Sequence, residues 1–96
     1  MKIYIAGKIT NSPNFQEQFK KLENLLKAQC HLVMNPAKLP LGFDYDDYMV
    51  ICYAMIDVCE AVYFLPNWRD SKGANLEKEY AERKGKVLNF KSFCVT

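Results

Sequence analysis

The sequence predicts an α/β fold. It is an open, doubly wound (Rossmann- or flavodoxin-like) parallel sheet of four to five strands, with helices on both faces. Three observations carry this. Short apolar runs rich in β-branched and aromatic residues alternate with helical patterns. The connections between them are short, as parallel strand–helix–strand units require. No repeat, low-complexity segment or linker interrupts the 96 residues, which read as one domain.

Lys2 to Ala6 (KIYIA) reads as a buried strand ending in Gly7. Ser12-Pro13 reads as a helix start, a capping side chain followed by proline at the first helical position. Phe15, Phe19, Leu22, Leu25 and Leu26 then follow at helical spacing. Lys20, Lys21 and Lys27 fall to a solvated face. His31 to Met34 (HLVM) is a second strand, stopped by Asn35-Pro36, and residues 37–43 form a loop.

Asp44 can cap the next helix, with Asp46 and Asp47 suited to its first turn. That helix runs from Tyr45 to about Cys59 and is apolar nearly all round, so it needs cover on two sides. One side meets the sheet; a second copy of the chain would cover the other, as a homodimer or higher homo-oligomer. Ala61 to Leu65 (AVYFL) is a third strand, ended by Pro66. Asp70 to Lys84 is the third helix and Lys86 to Phe90 the fourth strand. Lys91 to Thr96 is either a further edge strand or a frayed end. The expected strand order is 2-1-3-4.

Bulk properties exclude several classes. A net charge of +2 is too small to predict a nucleic-acid polymer or a membrane surface as partner. No apolar run is long enough to span a bilayer or act as a signal peptide. Cys30, Cys52, Cys59 and Cys94 form no C-x-x-C pair, and His31 has no second ligand at useful spacing, so no metal site is expected. The expectation is a reduced, cytoplasmic protein.

In doubly wound sheets ligands bind beyond the carboxyl ends of the strands. That rule gathers Gly7 and Lys8 after the first strand, Asn35 after the second, and Asn67 and Trp68 after the third. Asp70, Ser71, Gly73 and Glu77 join them where the third helix begins. Ser71-Lys72-Gly73 suits either an anion at a helix N-terminus or an ordinary cap. Trp68 offers a stacking surface for a planar ligand; Tyr4 offers another, or is a core aromatic. Glu77 sits on the edge of its helix's apolar side. It is either a half-exposed surface residue or a reagent whose pKa burial would raise. An ionised carboxylate in a pocket can attack an anomeric carbon.

Taken together, IYIAGKIT (Ile3–Thr10), NPA (Asn35–Ala37), CEAVYFLP (Cys59–Pro66), DSKGANLEKEYA (Asp70–Ala81) and GKVL (Gly85–Leu88) resemble the nucleoside 2-deoxyribosyltransferase-like superfamily. The resemblance is to its small DUF4406 branch and covers nearly the whole chain. It implies cleavage or transfer of the N-glycosidic bond of 2′-deoxynucleosides or their 5′-monophosphates, with no cofactor. Glu77 matches the glutamate that attacks C1′, and Tyr4 a tyrosine that contacts that nucleophile. Ser71 matches a serine that binds the 5′-phosphate, and Gly7 and Lys8 would line the sugar or phosphate side.

One position departs from the pattern. Where family members carry an aspartate on the second helix, this chain has Cys52. A thiol is a weak hydrogen-bonding group, and losing a general acid costs about 10²–10⁴ in rate. Asp57 lies roughly 140° further round the helix and cannot replace it. The alternative function is therefore a nucleotide or sugar-phosphate binding module of the same fold, with little or no turnover.

Overall fold

A computed structural model describes residues 1–90. The strands are β1 (Lys2–Ala6), β2 (Leu32–Met34), β3 (Ala61–Phe64) and β4 (Val87–Asn89). Between them run the helices α1 (Phe15–Ala28), α2 (Tyr45–Asp57) and α3 (Lys72–Arg83). The sheet order is β2-β1-β3-β4, and each neighbouring pair is parallel. This is the expected fold and strand order.

Alternation along the central strands builds two cores. Ile3 and Ile5 of β1, with Ala61, face α1 and pack on Phe19, Leu22 and Leu26. Tyr4 and Ala6, with Val62 and Phe64 of β3, face the other way, onto Cys52 and Ile56 of α2 and Ala81 of α3. Each large aliphatic side chain buried this way contributes about 1.5–3 kcal/mol. Two-sided burial explains why β1 is apolar at every position from Ile3 to Ala6.

The element ends differ from the sequence reading in ways that local bonds explain. Ser12-Pro13 does not open α1. The Ser12 carbonyl accepts from the Phe15 N–H at 3.2 Å in a turn, and Asn14 takes the N-cap place. The second strand begins at Leu32, because the His31 N–H is used in closing α1 onto the Leu26 carbonyl at 3.1 Å. Helix α2 ends at Asp57, two residues before Cys59. Residues Trp68–Asp70 form a separate 3₁₀ turn, so α3 starts only after Ser71. The segment Lys91–Thr96 lies outside the described residues.

The crossover after β1 runs outward to β2, and the crossover after β3 runs the opposite way to β4. The gap between the carboxyl ends of β1 and β3 is therefore a switch point, the place where such sheets leave a crevice.

Candidate active site

A cavity of about 520 Å³ opens at that crevice. Its floor is the carboxyl end of β1, where Tyr4 is fully buried and Gly7 follows. One wall is the first turns of α3, another the inner face of α2, and a third the segment from Pro36 to Leu41.

Helix α3 delivers the carboxylate. Ser71 caps it, its Oγ accepting from the Ala74 N–H at 3.1 Å. The Asn75 amide ties the cap to the preceding 3₁₀ turn through the Ser71 and Arg69 carbonyls, at 2.8 and 3.1 Å. From there Ala74, Glu77 and Ala81 fall on one buried stripe. The two alanines let the helix lie close against the sheet. Glu77, between them and only 6% exposed, is carried to the cavity floor.

There the Tyr4 hydroxyl donates to Glu77 Oε2 at 2.7 Å, and Cys52 of α2 lines the same space. Burial dominates and pushes the Glu77 pKa up to about 7, against the pull of the Tyr4 hydroxyl and then of the nearby Cys52 thiol. Tyr4 is raised well above its ordinary value by burial and then by the Glu77 charge. Burial, followed by the same charge, pushes the Cys52 thiol up to about 12. The result is a carboxyl poised between its two forms near neutral pH, held by the Tyr4 hydroxyl.

Among the described residues one other carboxylate is buried, Glu23 of α1, and it is a different object. Asn35 donates to its Oε1 at 2.9 Å, while Lys27 and Lys38 reach its Oε2 at 2.7 and 2.8 Å. Burial opposes ionisation, but these partners prevail and bring the Glu23 pKa down to about 2. Glu23 is a permanently charged clamp, whereas Glu77 has only neutral partners.

Eight of the sequence-predicted residues meet at this cavity: Tyr4, Gly7, Lys8, Cys52, Asp70, Ser71, Gly73 and Glu77. Three do not line it. Asn35 spends its amide on Glu23 and on the Ala37 N–H at 2.9 Å, bracing the wall from behind. Asn67 accepts from the Lys8 N–H at 3.1 Å and so anchors the loop after β1. Trp68 packs edge-on against Phe64 at 5.4 Å and tilts onto Phe90 at 5.1 Å, which makes it a covering aromatic. Gly7 also has a packing reason: a Cβ there would lie 2.8 Å from Leu65 Cδ1.

Sequence reading missed the outer walls. Tyr45 and Met49, at the start of α2, line the cavity beside Gly73, as does Leu41 of the preceding loop. A signal existed in the apolar residues of a proline-rich loop, 76% exposed in the case of Leu41. Tyr48 holds that loop down, donating to the Pro40 carbonyl at 2.6 Å and accepting from the Phe43 N–H at 3.1 Å.

The fold is deoxyribosyltransferase-like. The structure superposes on a 2-desoxiribosyltransferase from Leishmania mexicana with a TM-score of 0.73, at 24% identity over 91% of this chain. The match takes in 61% of that protein, so this chain spans about three fifths of its length. The chain belongs to the family described as a domain of unknown function, DUF4406, whose model matches residues 1–90. No curated protein matches it in sequence.

Proposed function

We propose that this protein cleaves or transfers the N-glycosidic bond of 2′-deoxynucleosides or their 5′-monophosphates, with Glu77 as the nucleophile. The observation that carries the reading is Glu77 itself. It is a buried carboxylate on the floor of a cavity at the sheet's switch point, with the Tyr4 hydroxyl 2.7 Å from Oε2 and no cation paired to it among the described residues. Such a group is free to attack an electrophilic carbon, as Glu23 is not. The ionised carboxylate would bond C1′ of the sugar as the bond to the base breaks; water or a second base would then release the sugar. Tyr4 would hold the carboxylate during the first step.

The remaining lining residues suit the same substrate. Phe15, Leu39 and Leu41 give apolar surface for a base. Lys8, Lys72 and the start of α3 line the same space and favour an anion such as a 5′-phosphate. The cavity volume accommodates a nucleotide-sized ligand.

A second reading has its own observation. Burial pushes the Cys52 thiol up to about 12, which makes it a weak proton donor to a departing base. On this reading the cavity holds a nucleotide or sugar phosphate without turning it over. We further propose a cytoplasmic homodimer in which α2 covers its counterpart. The exposed Val50, Ala54 and Val58 on the side of α2 away from the sheet support that arrangement.

The test is base release. The protein is incubated with each 2′-deoxynucleoside and each 5′-monophosphate, beside Glu77→Ala, and free base is resolved by chromatography. Release that Glu77→Ala abolishes supports the glycosidase. Ligand binding with no release from the folded protein supports the binding module.

A further inference from the structure

Tyr48, in the first turn of α2, ties down the loop that precedes its own helix. Its one hydroxyl proton goes to the Pro40 carbonyl at 2.6 Å, and its oxygen accepts from the Phe43 N–H at 3.1 Å. Its ring also meets Phe43 edge-on, at 6.1 Å and 71°. With that proton spent, the hydroxyl has none to offer a ligand. Its two bonds grip both ends of the Pro40–Phe43 loop. The chain between them bends at Gly42, whose φ of 101° suits glycine alone.

Leu41 stands in that bend. It lines the cavity and is 76% exposed. An aliphatic side chain left in water at a cavity wall gains only when an apolar ligand surface covers it. Upstream the chain is fastened again, where Lys38 meets Glu23 at 2.8 Å. A loop free to move would lose conformational entropy each time it closed on a ligand. A loop already tied down by folding brings Leu41 to the ligand without that cost.

We infer that Tyr48 is a positioning residue: its hydroxyl latches the Pro40–Phe43 loop onto α2 and so holds Leu41 at the cavity as an apolar contact for the base of a nucleoside or nucleotide. That role rests on the ligand class of the proposed function and is independent of whether Glu77 attacks the ligand.

The experiment compares a ligand that has a base with one that lacks it. NMR titration of the full chain gives the affinity for the best-bound 2′-deoxynucleoside or 5′-monophosphate. It also gives the affinity for the matching sugar without its base, 2-deoxyribose or its 5-phosphate. Tyr48→Phe keeps the ring on Phe43 and removes both hydrogen bonds. It should weaken the base-bearing ligand about three- to tenfold, leave the bare sugar unchanged, and speed exchange of the Phe43 amide proton. Leu41→Ala should weaken the base-bearing ligand to a similar extent. The double variant should bind about as weakly as Leu41→Ala alone, because the latch acts through that side chain. Gly42→Ala strains the same loop from a residue that does not line the cavity, and it repeats the comparison if circular dichroism shows Tyr48→Phe unfolded.

Equal losses for both ligands, no loss for either, or additive losses in the double variant would overturn the latch. Failure of every nucleoside and monophosphate to bind would overturn it together with the proposed function. The two otherwise fail separately. A base-selective loss in a protein that releases no base leaves the latch standing and removes the glycosidase. Base release with unchanged affinities does the reverse.

Discussion

Two glutamates on apolar helix stripes illustrate how partners decide a residue's role. Glu23 and Glu77 are equally hard to assign from spacing, because each lies three or four residues from buried apolar neighbours. The difference lies in what meets them: lysines in one case, a phenol and a thiol in the other. For Glu77 the consequence can be measured without substrate. Its folded pKa, about 7, lies above the ordinary 4.5, so the fold binds its proton more tightly than the unfolded chain does. That stability is fully present below about pH 4.5 and is lost as pH rises through about 7. The gap corresponds to about 3 kcal/mol when complete. Urea unfolding should show the protein weakening between pH 5 and 8 while Glu77→Gln does not. A constant difference between the two would mean that the carboxylate ionises in the fold without penalty. Turnover should respond in the opposite sense, because the ionised form attacks: base release should climb with pH and level off above about 7.

At the scale of elements, helix endings and one loop clamp hold the site in place. Helices α1 and α3 both close with a left-handed residue and paired backbone bonds. Gly85 (φ 70°) serves α3, with its own N–H on Glu82 and that of Lys86 on Ala81. Cys30 (φ 69°) serves α1, with equivalent bonds to Lys27 and from His31 to Leu26. Glycine takes this conformation without strain and cysteine does not. Cys30→Gly, at an exposed site, should therefore stabilise the protein by about 0.5–1 kcal/mol in chemical denaturation. Gly85→Ala should cost about 1 kcal/mol. The Glu23 clamp braces the Pro36–Lys38 turn, whose Pro36 and Ala37 form part of the cavity wall. Glu23→Ala should cost about 1–3 kcal/mol, because it leaves the buried Asn35 amide without its acceptor. Ligand affinity should fall with it. The clamp's contribution is present above about pH 4.5 and fades as pH falls toward about 2, so acid should weaken the wild type more than the variant. Sequence reading located these elements but not the clamp. Lys38 and Asn35 lie 15 and 12 residues from Glu23, and nothing local announces their meeting.

For the molecule as a whole, the strand order was legible because alternation, short crossovers and a fixed handedness leave few arrangements of four parallel strands. The site was legible as far as that topology reaches. The carboxyl-edge rule collected Tyr4's neighbours and the start of α3, yet it also collected Asn35, Asn67 and Trp68. Their side chains are spent on bracing loops and covering the sheet, which only tertiary contacts decide. Helix α2 carries the remaining question. Its sequence is apolar nearly all round, but the structure buries only Cys52 and Ile56 and leaves Val50 70% and, at the C-cap, Val58 52% exposed. Val50, Ala54 and Val58 fall at intervals of four, a stripe along one side of the helix. Ala54 at its centre lets a second helix approach closely. Two such stripes related by a two-fold axis would each cover the other, the self-complementary contact of a symmetric dimer. Sedimentation equilibrium should give twice the chain mass for the wild type. Val50→Lys buries a charge from each copy in that apolar contact and should return the monomer mass, with the fold retained by circular dichroism. Wild-type protein that sediments as a monomer at high micromolar concentration would mean that α2 tolerates its exposed valines alone, and the dimer would fall.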